Sequence, residues 1–435
     1  MKRNLLKTLC VALIATFSAV AAWGKVTKYP LFINGVQVTS KNCNNLASIS
    51  GVSLYRSAYD VFKYVPKSNT LIMKGVRTVD LGDKNALRYS GYEGLTVQVR
   101  GKNQLNAQVF FDGPTTIEGD GLLEINETGY PALLCQTNVS IKDCKLKASG
   151  LFGIRTGPGA TLRLDNAVVV ADGTEAAVGF KGQHQGTNVW TTEKVKDFNS
   201  EGYPINEKGE VVKHLEYVNY DPNKVLLHED FESGTMPEGW VAKDNDGDGF
   251  TWTPHTDDYG LGFHGSRGVL LSESWRDRAL DPSNFLISPK IEGANRIRFH
   301  VYAKNPERFQ EHYWLSYTTS DDIEDEQSWK NLEGSEWTIT EGEKWFTKEF
   351  DLPEGTKYVG ITHGHCEGIP YALLLDDIIF FGNNLHSAVA VTPADEKEAT
   401  IVGYYTIDGR RHSRPQSGVN IVKMSNGKAK KVLFP

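Results

Sequence analysis

Cysteine and methionine are scarce in this 435-residue chain, at five and four, and no CxxC pair or zinc-like spacing occurs. A disulfide framework and a zinc-ribbon or redox-motif reading are thereby excluded. Beyond the first two dozen residues there is no apolar run long enough for a membrane span. Positive charge is also in deficit, with 47 Lys and Arg against 54 Asp and Glu. That balance disfavours nucleic acid and anionic lipid as partners. No Ser/His/Asp or paired-carboxylate constellation and no glycine-rich phosphate cradle stand out, so no enzyme class is indicated.

What the chain does have is glycine (42), aromatic residues (11%) and short alternating apolar runs, the makings of strands and tight turns. Residues 1–24 read as a secretory signal: Lys2, Arg3 and Lys7, then an apolar run from Leu9, then small residues near Ala21 and Gly24. Its removal shifts the formal charge from −7 to about −10. Of the remaining cysteines, Cys135 and Cys144 are spaced for a bridge, with two buried thiols the preferred reading.

Residues 25–182 read as one module, in which the segment from about 69 to 180 repeats a unit of three short strands. Val97, Ile117, Ile141 and Leu162 lead successive units at steps of 20, 24 and 21, and Leu133, Ile154 and Val178 end them at 21 and 24. A period near 22 with three strands per turn predicts a right-handed parallel β-helix-like solenoid. INGVQVTS (33–40), NTLIMKGV (69–76) and LTVQVRGKNQL (95–105) resemble β-helical carbohydrate-binding-type modules of secreted bacterial proteins. That resemblance implies ligand binding along a flat face and carries over no site residue. Polysaccharide lyases also use this fold, but the outward Glu118, Glu124, Lys142, Lys145, Lys147, Arg155 and Arg163 read as a solvated face. Residues 183–224 lose the repeat and read as cap and linker, with a strand pair expected between GEVV and HLEYVNY.

About eight short strands with turn-rich connections follow over 225–382, the pattern of a β-sandwich. EDFESGTMPEGWVAKDNDGDGFTW (229–252), LLSES (270–274), NFLISPKI (284–291), EHYWLSYTTS (311–320), DLPEGTKYVGITH (351–363) and LLLDDIIF (373–380) resemble the cleaved-adhesin domain of gingipain haemagglutinin-adhesin regions. The resemblance implies a calcium-binding jelly roll of galactose-binding-like type. Its implied partners are host glycoprotein, glycan or matrix protein, or haem-bearing targets such as haemoglobin.

DNDGDG places Asp244, Asp246 and Asp248 at positions 1, 3 and 5 of an EF-hand-like loop, with Gly249 at position 6. Position 12 is His255 rather than a bidentate Glu, and the flanks are strand-like, so a calcium sensor is excluded. A structural calcium ion held with help from elsewhere in the sandwich remains, against an Asp/Gly turn with solvated side chains. Glu232 and Asp377, at opposite ends of the sandwich sequence, are a second candidate ion pair of ligands; hydrogen bonding to backbone groups is the competing reading. His363 and His365 share a strand face and could meet zinc or haem, while the resemblance to the adhesin domain implies a packing role for His363. Trp275 and Trp329 are the tryptophans placed in loops, where they could stack on a sugar.

Residues 383–398 read as a linker and 399–435 as a small C-terminal β segment. YYTIDGRR, GVNIVKM and NGKAKKVLF resemble the sorting domain of type IX secretion, implying the outer-membrane secretion machinery as partner and the surface of a Gram-negative bacterium, or release from it, as destination. The expectation is an all-β, exported, non-enzymatic adhesin. The alternatives are a β-helix lyase with an accessory jelly roll and a haem or glycan capture protein.

Overall fold

The computed structural model describes residues 26–382, apart from Asp83 and residues 181–182, 188–189 and 192–193, together with the strands of the C-terminal segment. The signal region 1–24 and the linker 383–398 lie outside the described residues. Two compact units result, 1–383 and 384–435. Solenoid and sandwich thus share one unit.

The solenoid stacks about five turns in parallel register. One face is a ladder of Thr70–Lys74, Leu95–Arg100, Thr115–Gly119, Val139–Lys142 and Thr161–Asp165. The strands alternate, so every second side chain points inward. Leu71, Val97, Ile117, Ile141 and Leu164 form a fully buried column. Each such side chain contributes roughly 1.5–3 kcal/mol of burial. A second column runs through Leu87, Val109, Leu133, Ile154 and Val178, matching the expected steps. In the first column one expectation is corrected: Leu164, not Leu162, stacks on Ile141, and Leu162 stacks on Val139. A slip of two residues preserves which face is apolar, so alternation alone cannot detect it.

Corners are turned by buried polar groups. Asn103 is fully buried; its amide donates to the carbonyls of Arg100 and Leu122 and its oxygen accepts from Val76 N. Cys43, Cys135 and Cys144 are free, buried thiols, and burial pushes Cys144 up to about 12. Both solenoid ends are closed by antiparallel strands. Lys28–Ile33 and Val36–Thr39 form a hairpin over the left-handed Asn34–Gly35 turn and pair onto Leu87–Tyr89. At the other end His214–Val218 pairs with Val168–Phe180, not with the GEVV segment. The last coil presents an open edge, and covering it satisfies more backbone than a local hairpin.

The sandwich comprises two antiparallel sheets. One orders Thr253–Thr256, Gly268–Glu273, Ala372–Gly382, Ala294–Ala303 and Trp345–Asp351, with Val225–Glu229 also on Ala372–Gly382. The other orders Val241–Asp244, Ser283–Ile287, Tyr358–Gly364, His312–Thr318 and Lys330–Asn331, with Trp337–Thr338 also on His312–Thr318. Phe231, Trp240, Trp252, Phe299, Tyr313, Leu375 and Phe380 fill the space between them. The C-terminal unit is a sheet of four antiparallel strands, ordered Arg411–His412, Ile401–Thr406, Gly418–Met424 and Ala429–Phe434.

Candidate functional site

The acidic loop follows the edge strand Val241–Asp244. Gly247 and Gly249 take left-handed backbone, which curls the loop back on its first aspartate. Asp244 Oδ1 accepts from Gly247 N and Oδ2 from Gly249 N, both at 2.8 Å, and Asp248 Oδ1 accepts from Phe250 N at 2.8 Å. One carboxylate oxygen from each of Asp244, Asp246 and Asp248 lies within 4.8 Å of the others. Partial desolvation, a hydrogen bond shared with Asp244 and the charge of Asp248 lift Asp246 to about 6. That same shared bond and the Gly249 N–H hold Asp244 below the usual carboxylate range. Three hard oxygen donors crowded on one curl are chemically suited to calcium, which would relieve their repulsion.

Glu232 and Asp377 are held by different partners. Glu232 Oε1 accepts from the backbone N–H groups of Arg267 and Gly268, each at 2.7 Å. Asp377, itself at positive φ, pairs through Oδ1 with His228 Nε2 at 2.8 Å. Among the described residues, neither belongs to a cluster of three or more side chains able to hold a metal. The neighbouring Asp376, which the sequence reading passed over as a ligand, is fully buried. Its Oδ2 accepts from Phe263 N (2.7 Å) and Ser266 Oγ (2.8 Å), and its Oδ1 from Asp377 N (2.7 Å). Burial raises its carboxyl well above the normal range.

That anchored loop, Gly260–Ser266, packs directly on the solenoid. A Cβ on Gly260 would lie 2.6 Å from Lys102 Cβ, and one on Gly265 would lie 2.7 Å from Leu122 Cβ. His264 N donates to Asp120 O (3.2 Å), Trp345 N to Asp120 Oδ2 (3.2 Å), and Lys74 Nζ meets Glu343 Oε2 at 3.0 Å. Burial raises the Asp120 carboxyl, while the Trp345 N–H and the Arg100 charge act against it.

Beside these contacts opens a cleft of about 600 Å³, walled by both halves. A groove of about 470 Å³ continues it past Arg100, Asp120 and Trp345. Arg56 lies over the rings of Tyr59 (5.9 Å) and Tyr259 (5.5 Å), and Tyr59 is 69% exposed at the rim. Arg100 and Lys304 face the cleft with no carboxylate at ion-pair distance among the described residues. Cationic donors beside an exposed aromatic face can grip hydroxyl- and carboxylate-bearing ligands. Its sequence signal was the glycine-rich YGLGFHG loop at 259–265, which reads only as a turn until its partner surface is seen.

Trp275 is half-buried beneath Arg308, whose guanidinium sits 4.4 Å from the ring centroid. Trp329 packs on Phe285 and donates Nε1–H to Ile323 O at 3.2 Å. His363 and His365 do not act together. His365 turns out through positive φ to lie 5.0 Å from Trp314. His363 is fully buried among Ser272, Ser274, Glu311 and Cys366. Burial alone would depress its imidazole; Cys366 and Glu311 carry it up instead, to about 9.

Residues 224–380 match the family model of the Cleaved Adhesin Domain. Lys-gingipain of Porphyromonas gingivalis is 33% identical over 172 residues, covering 36% of this chain and 10% of that protein. Hemagglutinin A of Porphyromonas gingivalis is 35% identical over 173 residues, 35% of this chain and 6% of that one. The crystal structure of the K1 cleaved adhesin domain of Lys-gingipain from Porphyromonas gingivalis W83 aligns at 31% identity and a TM-score of 0.33, covering 36% of this chain and 98% of that one. The chain spans a tenth or less of the length of these two curated relatives. No helix among the described residues is long and apolar enough to cross a membrane. Over residues 224–380 the chain is thus similar to the Cleaved Adhesin Domain, with gingipain and haemagglutinin relatives.

Proposed function

We propose that this chain is an exported, non-catalytic adhesin that binds glycan on host glycoprotein or matrix surfaces in the cleft between solenoid and sandwich. The observation that carries this reading is the cleft itself: Arg100 and Lys304, neither at ion-pair distance from a carboxylate among the described residues, beside the exposed ring of Tyr59. Acidic sugars offer carboxylate or sulfate groups to the cations and a C–H face to the ring. The family of the sandwich, an adhesin domain, supports the same direction.

In this reading calcium sits on Asp244, Asp246 and Asp248, where it supplies charge neutralisation and ties the loop to the strand before it. It acts as a staple, not as a reagent. The signal-like start and the sorting-like C-terminal segment would carry the protein to the outer surface.

The test is a glycan array probed with the full chain, with and without calcium, followed by a depolymerisation assay on each bound polymer. Binding without chain cleavage is expected. Tyr59→Ala and Arg100→Ala should each weaken binding about tenfold, the scale of one lost charge-assisted or stacking contact. Cleavage of a bound polymer would replace this reading with the lyase, and unchanged binding in both variants would remove the cleft.

A further inference from the structure

The geometry assigns a transition-metal site, of zinc class, to Glu311, His363 and Cys366. The three donor atoms form a triangle: His363 Nε2 to Glu311 Oε2 is 2.9 Å, His363 Nε2 to Cys366 Sγ 3.5 Å, and Cys366 Sγ to Glu311 Oε2 3.7 Å. Zinc bonds of about 2.0–2.3 Å in a tetrahedron set donor separations of about 3.3–3.6 Å. Both edges to sulfur match within about 0.2 Å. The nitrogen–oxygen edge is shorter because a hydrogen bond spans it.

Each far atom of the triangle is already fixed. His363 Nδ1 meets Ser272 Oγ at 2.7 Å, and Asn284 Nδ2 donates to that same hydroxyl at 2.9 Å. An incoming ion must displace the proton that spans the His363–Glu311 edge; with Nδ1 keeping its own proton toward Ser272, the Nε2 lone pair then faces the other two donors. Glu311 Oε1 accepts from Tyr371 N at 2.7 Å, which leaves Oε2 turned inward. Cys366 Sγ accepts from His312 N at 3.4 Å. Such outer contacts orient metal ligands and are what a bare ion-pair network does not require of all three members.

The site is rigid where it must be. His363 lies on Tyr358–Gly364, Glu311 enters the paired strand His312–Thr318, and Tyr313 is in register with His363. Cys366 follows a left-handed turn at His365 that folds the chain back over the pair. Glu311 and His363 are fully buried, whereas Cys366 is partly exposed, so an ion has a path in. Ser274 Oγ, 2.6 Å from Glu311 Oε2 and 3.4 Å from His363 Nε2, or a water, would complete four-coordination. A thiolate and an imidazole select zinc, cobalt or their like over calcium, so this site is chemically distinct from the aspartate loop. Binding would release to solvent both the thiol proton and the proton shared by His363 and Glu311.

The full chain, purified under reducing conditions and freed of metal, is titrated with cobalt(II) in the presence of excess calcium. The expected result is one equivalent bound, with a sulfur-to-cobalt charge-transfer band and the intense visible bands of a tetrahedral ion. Zinc should displace the cobalt and slow maleimide labelling of Cys366 by at least about tenfold, since bound thiolate is no longer nucleophilic. Cys366→Ser should lose the charge-transfer band while keeping the wild-type circular dichroism. Because His363→Gln removes a buried charge and could misfold, Ser272→Ala provides the second variant: weaker cobalt affinity with the band retained. Cobalt uptake without a sulfur band, uptake unchanged in Cys366→Ser, or no uptake by protein whose Cys366 is free and reduced would each overturn the assignment.

Discussion

Asp246 shows how one side chain can report the state of a whole loop. A carboxyl whose folded-state pKa lies above its unfolded value stabilises the fold while protonated, and that contribution is lost as pH rises through the folded value. For Asp246 the window runs from the ordinary 3.8 to about 6. Ion-free protein should therefore lose stability from this group as pH rises across that range, while calcium, which binds the ionised cluster, should add stability that grows over the same range. Thermal melts in EDTA and in calcium at pH 4, 5 and 6.5 read the difference directly. The calcium increment in melting temperature should be small at pH 4 and full at pH 6.5, and Asp246→Asn should flatten it. An equal increment at every pH would mean the ion sits elsewhere. At this scale the sequence was informative about residue type and blind to partners. Three aspartates at alternate positions were visible as a curl of oxygens. The pairing of His363 with Glu311 was not, because 52 residues separate them and only strand register brings them together.

Among the elements, Ala372–Gly382 does the most to join the parts. It pairs with Gly268–Glu273, Ala294–Ala303 and Val225–Glu229, and its bulge opposite Arg298–His300 turns Asp376 inward to the Gly260–Ser266 loop. Asp376→Ala would strand the buried Phe263 N–H and should cost about 2–4 kcal/mol, measured by urea unfolding. Asp376→Asn keeps an acceptor and should cost less; equal losses would show that the charge, not the hydrogen bonds, holds the loop. Periodicity made these strands legible, since apolar alternation in both halves is what burial demands of a sheet. It did not make the bulge legible, because one extra residue leaves no compositional mark. The same blindness explains the two-residue slip at Leu164 and the capping strand His214–Val218, whose partner is the last coil. Local pattern fixes which face is apolar; long-range pairing fixes which neighbour meets it.

For the whole molecule the decisive surface is the seam. Sequence reasoning treated solenoid and sandwich as modules in series, whereas Gly260 and Gly265 bring the sandwich loop into backbone contact with Lys102 and Leu122. At both positions φ is positive and a Cβ would overlap the opposing chain, so only glycine allows the approach. Gly265→Val adds a branched side chain where the nearest atom would lie 2.7 Å away, on top of the strain of left-handed backbone. The loop must then lift, opening the cleft that Arg100, Lys304 and Tyr59 line. The expected outcome is a larger radius of gyration by small-angle scattering and a melt that separates into two transitions. Glycan binding should fall by more than in either single cleft variant, because every contact across the seam loses its partner wall. Cobalt uptake at Cys366 should stay unchanged, since Glu311, His363 and Cys366 belong to the sandwich alone. If Gly265→Val left scattering and glycan affinity as they were, the binding surface would have to be sought on one module by itself.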